Sequence, residues 1–115
     1  MRKREWRVCV NQPFMNCQYI YPIQQNKVKS LLEDITDGIN QIKRVIVFGS
    51  SVTEFCHVGS DVDIYVETDN NGALIKQYHP FEYDLWTNHT ADERLKKEIF
   101  SKGVVVYEQN SALLY

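Results

Sequence analysis

From Gln25 the apolar positions fall at helical spacing: Val28, Leu31, Leu32, Ile35, Ile39 and Ile42 line one face of a predicted helix. Gly38 and Asn40 are expected to end or fray it. Upstream, Trp6, Val8 and Val10 alternate with Arg7 and Cys9, which predicts a short strand, while Pro13 and Pro22 break any regular element. Arg44-Val45-Ile46-Val47-Phe48 is a β-branched and aromatic run, the pattern of a central strand buried on both faces, and it stops at Gly49-Ser50-Ser51. Further strands are expected from Asp61 to about Glu67, from Phe81 to Trp86 and from Val104 to Glu108. Asn70-Asn71-Gly72 reads as a turn, followed by a short helix around Leu74–Tyr78. Thr90 and Glu93 have capping-box spacing ahead of a helix carrying Leu95, Ile99 and Phe100, and Gly103 suits its end as a left-handed cap. The expected class is α/β: a small mixed β-sheet flanked by helices, with residues 1–24 as an N-terminal extension and 25–115 as the domain.

Composition narrows this picture. A chain of 115 residues fits one domain. Thirteen Lys and Arg against 15 Asp and Glu give a formal charge of −2, which speaks against a protein that coats nucleic acid. No apolar run is long enough to span a bilayer, and Arg2-Lys3-Arg4 is followed by Glu5-Trp6-Arg7 rather than by an apolar leader. Cys9, Cys17 and Cys56 lack metal-site spacing and read as free thiols, so a cytoplasmic location is expected.

The charge is unevenly spread. Seven acids and one base, Lys76, fall between Glu54 and Asp84, a local charge of −6 against +4 for the rest. Several of these acids stand within strand patterns. In Asp61-Val62-Asp63-Ile64-Tyr65-Val66 the valines and isoleucine face one side, and Asp61 and Asp63 share the other. Two carboxylates on one strand face suit a hard divalent ion such as Mg²⁺. Glu82, Asp84 and Trp86 share a face of the next strand, so Asp84 completes a three-carboxylate cluster if the two strands are neighbours. Three such groups suffice for two metal ions, which activate an attacking oxygen and stabilise a leaving phosphate. Ahead of them, Gly49 permits close approach of backbone to a phosphate and Ser50 offers a hydroxyl.

Gly49-Ser50, ten intervening residues, then Asp61-Val62-Asp63 resembles the signature of the DNA polymerase β-like nucleotidyltransferases, and the chain's size is similar to their minimal group. The resemblance covers roughly Val28 to Glu108. It implies the nucleotidyltransferase fold, with Gly49 and Ser50 holding a nucleoside triphosphate and Asp61 and Asp63 binding metal. Asp84, with Glu82 as the weaker choice, would be the third acid that orients or deprotonates the acceptor. The implied cofactors are Mg²⁺, as two ions, with ATP as nucleotide donor. The implied reaction is transfer of AMP to a hydroxyl. Relatives of this size often pair with a helical HEPN-type toxin and act as its antitoxin, so a HEPN-type partner protein or a homodimer is expected. Two alternatives stay open: a catalytically weak binding antitoxin, and a transferase acting on a small molecule of the aminoglycoside type. The chain departs from many relatives after Gly-Ser, where Ser51-Val52-Thr53-Glu54 replaces a small residue, Arg and Gly. Lys43, Arg44 and Lys76 are other sources of positive charge.

The remaining motifs carry less. Cys56-His57 lacks the spaced ligands of a zinc site and reads as a loop thiol and imidazole. Trp86 is expected to pack under a helix rather than stack on a base. Arg2, Lys3, Arg4 and Arg7 read as a solvated basic terminus.

Overall fold

The computed structural model describes residues 4–9, 14–36, 42–69 and 78–109. The long apolar stripe forms helix α1 (Pro22–Thr36), and the four apolar runs form strands β1 (Ile42–Phe48), β2 (Val62–Thr68), β3 (Tyr83–Thr87) and β4 (Val104–Glu108). Helix α2 (Glu93–Lys102) lies between the last two strands, and 3₁₀ turns occupy Cys17–Tyr19 and Gly49–Val52. The sheet order is β3-β2-β1-β4. β1 is antiparallel to both its neighbours, whereas β2 and β3 are parallel, giving a mixed sheet.

Side-chain alternation in β1 explains why helices cover both faces. Val45 and Val47 point to one side, where they pack with Val62, Ile64 and Val66 beneath Val28, Leu31 and Leu32 of α1. Ile46 and Phe48 point to the other, against Tyr65 and Ile99 of α2. Each of these buried aliphatic side chains contributes roughly 1.5–3 kcal/mol relative to exposure. The α/β sandwich and the doubly buried β1 are as the sequence pattern implies.

Several boundaries differ from expectation. Pro22 begins α1 rather than breaking it, because at the first helical position its missing N–H would have no partner in any case. The helix ends at Thr36, and Ile42 belongs to β1, where it pairs with Thr68. Gly38, Ile39 and Asn40 lie outside the described residues, as do Val10, Pro13, the Asn70-Asn71-Gly72 turn and residues 74–77. Residues 4–9 form no strand: Arg7 adopts a φ of 78°, and Val8 is 64% exposed. The cap of α2 is Asp92, whose carboxylate accepts from Leu95 N at 2.8 Å. Thr90 instead accepts from Thr87 N at 2.8 Å and closes the preceding turn. A carboxylate is the stronger acceptor for an orphan helix N–H, which is why the acid displaces the threonine.

Gly103 is also used differently. Its φ is −75°, an ordinary value for any residue, so handedness does not select glycine here. Space does: a Cβ at this position would overlap Ile46 Cγ2 and come within 2.5 Å of Ile99 O. The glycine lets the end of α2 press onto β1. Gly103→Ala is expected to destabilise the fold by about 1–3 kcal/mol through overpacking, read as a lowered midpoint in thermal denaturation. An unchanged midpoint would show that the contact relaxes without cost.

Among the described residues no helix is long and apolar enough to cross a membrane. Cys9, Cys17 and Cys56 form no disulfide, as expected.

Candidate active site

The site is built where β1 ends. Gly49 follows Phe48 with a φ of 76°, in the left-handed region that glycine enters without a Cβ penalty. Phe48 is the register partner of Asp63 in β2, and a Cβ on Gly49 would collide with Asp63 Oδ2. The absence of a side chain therefore lets this carboxylate lie against the turn. Ser50 is half-buried in the 3₁₀ turn, and its carbonyl accepts from Thr53 N at 3.0 Å.

On the other side of β2, Asp63 faces Asp84 in register across the parallel β2–β3 ladder. The two are close enough for a protonated Asp63 carboxyl to donate a hydrogen bond to Asp84. Burial, then repulsion from Asp84 and that hydrogen bond, then Asp61 and Glu98, push the Asp63 carboxyl up to about 6. Glu98 comes from α2, and sequence reasoning had not placed it there. Asp61 lies one residue ahead of β2 and is exposed, as is Glu82 ahead of β3. The structure thus brings Gly49, Asp63 and Asp84 together, with Asp61 near enough to add repulsion. It does not close the expected three-carboxylate cluster: among the described residues no three His, Cys, Asp or Glu are grouped to hold a metal ion. Like charges favour solvated, separated rotamers, and Asp61 is free to take one. The donor set nevertheless fits a hard cation, since it is all carboxylate oxygen and its mutual repulsion is what a cation would offset.

A residue unnoticed in the sequence organises the loop. Gln24 is fully buried at the start of α1. Its amide Nε2 donates to Ser51 Oγ at 3.1 Å and Ser60 O at 3.1 Å, with Asp61 O at 3.4 Å. One side chain thereby ties both ends of the ten-residue segment between Ser50 and Asp61. The signal was available: Gln24 stands four residues before Val28, on the apolar face, where a polar group must find partners.

The other sequence candidates fall elsewhere. Lys43 pairs with Asp69 at 3.1 Å and Arg44 with Glu67 at 3.1 Å, both at the far end of β1 from Gly49, and Lys76 lies outside the described residues. Cys56 is buried and its thiol is pushed up by that burial, while His57 Nδ1 accepts from Gly59 N at 3.2 Å. Trp86 is 37% exposed, less covered than expected.

The family model described as polymerase beta, nucleotidyltransferase matches residues 26–112, a span that contains the Gly-Ser turn and all three aspartates. The chain belongs to the polymerase β nucleotidyltransferase family. No curated protein matches this nucleotidyltransferase significantly. Among solved structures it is similar to a chain from a toxin–antitoxin crystallised with AMP-PNP, with a TM-score of 0.59 and 22% identity over 76% of this chain and 75% of that one. It is also similar to a chain from a mutant of the toxin–antitoxin MntA-HpeT, with a TM-score of 0.53 and 17% identity over the same shares, 76% and 75%. At these identities the likeness establishes a common fold.

Proposed function

We propose that this nucleotidyltransferase moves a nucleoside monophosphate, AMP from ATP, onto a hydroxyl of a partner protein, and that it is the antitoxin half of a toxin–antitoxin pair. The observation that carries the reading is Asp63, which lies against the Gly49 turn and pairs in register with Asp84. The two solved structures compared above are toxin–antitoxins, and one was crystallised with AMP-PNP. The mutant relative carries glutamate at two aspartates two positions apart, the spacing of Asp61 and Asp63 here.

In this reading Gly49 and Ser50 supply backbone N–H and hydroxyl donors to the triphosphate. Asp61, Asp63 and Asp84 would hold Mg²⁺, which when bound supplies neutralisation of phosphate charge. Asp84, the exposed member of the pair, accepts the proton of the acceptor hydroxyl. The hydroxyl oxygen bonds to the α-phosphorus as the bond to the bridging oxygen breaks, and pyrophosphate leaves. Positioning and charge neutralisation carry most of such a transfer. The expected partner is a helical protein of the HEPN type.

The test incubates the chain with Mg²⁺, α-labelled ATP and the candidate partner. Label is expected on a partner side-chain hydroxyl with the native chain and not with the Asp61→Asn/Asp63→Asn double variant. Equal neutralisation of the partner by both forms would instead make the chain a binding antitoxin.

A further inference from the structure

Beside Gly49 opens a cleft of about 520 Å³, whose lining includes Arg4, Glu54 and, from α2, Glu98 and Lys102. Arg4 comes from the segment that the sequence pattern suggested was a solvated terminus. That segment is fastened down. Trp6 N and Arg7 N both donate to Gln18 O, at 2.6 and 3.0 Å, and the Trp6 ring meets Tyr21 edge-on at 4.7 Å between centroids. Tyr21 N in turn donates to Ser51 O at 2.8 Å, so the segment and the Gly-Ser turn share an anchor. The Arg4 guanidinium lies 4.3 Å over the Trp6 ring, and its Nη1 donates to Glu54 Oε1 at 3.0 Å. Stacking and pairing together orient a planar group with five N–H donors, of which Glu54 engages one nitrogen. The turn itself, from Gly49 to Glu54, brings an acid and no base to the cleft; among the described residues its lining cations are Arg4 and Lys102.

We propose that Arg4 is a phosphate-binding residue of the nucleotide site, taking oxygens of the phosphates beyond the α position, with Lys102 as the second cation. This rests on the reading of Gly49-Ser50 as the triphosphate turn. Glu54 holds the guanidinium at the cleft and competes with the nucleotide for it. Removing either member of the pair then has opposite consequences, which a purely structural ion pair could not produce.

The full chain, with Mg²⁺, is titrated calorimetrically with AMP-PNP and separately with AMP. Arg4→Gln is expected to weaken AMP-PNP about tenfold, the worth of one charge-assisted contact, and to leave AMP unchanged. Arg4→Lys is expected to keep part of that affinity. Glu54→Gln is expected to bind AMP-PNP at least as tightly as the native chain. The proposal is overturned if Arg4→Gln binds AMP-PNP as the native chain does, if it loses AMP and AMP-PNP equally, or if Glu54→Gln weakens AMP-PNP as much as Arg4→Gln. A native chain that binds no AMP-PNP strikes the triphosphate reading itself, and Arg4 with it.

Discussion

Asp63→Asn is expected to lower nucleotidyl transfer about a thousandfold and yet to raise the stability of the nucleotide-free chain at pH well above 6. The first effect follows from removing a carboxylate from the group proposed to hold the cation, where several kcal/mol of charge stabilisation are at stake and about 4 kcal/mol corresponds to a thousandfold. The second follows from the raised carboxyl, whose ordinary value of 3.8 is pushed to about 6 by burial, by Asp84 and by the weaker charges of Asp61 and Glu98. The sign is the reverse of a salt-bridged aspartate. The folded chain holds this proton more tightly than the unfolded chain, so the stabilisation is complete below pH 3.8 and is lost as pH rises through about 6. Above that, the native chain keeps an ionised group among like charges. Asparagine keeps the shape and can donate to Asp84, but it carries no charge. After discounting for the part of the carboxyl that stays solvated, the gain is about 1–2 kcal/mol. Thermal melts across that pH window, with chelator present, are expected to show a decline in the native chain that is reduced in the variant. Parallel melting curves would remove the electrostatic account, and retained transfer would remove Asp63 from the machinery. A site less stable than its own knock-out is the signature of charge held in place for function.

How far the sequence alone leads can be judged residue by residue. Strand alternation placed Val62, Ile64 and Val66 in the core and Asp63 on the opposite face, because a period of two leaves no freedom once one face is apolar. The same logic on β3 gave a buried Tyr83 and an exposed Asp84, and the pairing of the two strands then set the carboxylates side by side. What periodicity could not give was anything decided by spatial neighbours far apart in the chain. Gln24 holds Ser51 and Ser60 across 27 and 36 residues, and Arg4 reaches Glu54 across 50. The place of Gln24 on the apolar face shows that it needs partners, but nothing local marks Ser51, Ser60 or Glu54 as the partners. Gly103 shows a subtler gap: its presence was expected at the end of α2, but the reason was wrong, since close packing on Ile46 rather than backbone handedness requires it. Pro22 was misread for the opposite cause, a residue that breaks helix interiors being well suited to a helix start.

The largest effect from a residue without a side chain is expected at Gly49. Gly49→Ala meets two obstacles. At a φ of 76° an alanine costs about 1–2 kcal/mol from the contact of its Cβ with the following carbonyl. The same Cβ falls on Asp63 Oδ2, and since that atom ends a rotatable side chain, the carboxylate is the group that yields. A displacement of that kind at a reacting centre costs about a hundredfold in rate. The variant is therefore expected to melt earlier than the native chain and to transfer label about a hundredfold more slowly. If the rate loss passes through Asp63, it must vanish when Asp63 no longer contributes: Gly49→Ala added to Asp63→Asn should slow transfer little further. A double-mutant cycle on transfer rates reads this coupling directly. Additive losses would mean that Gly49 acts on the phosphates by its own backbone, independently of the carboxylate it accommodates.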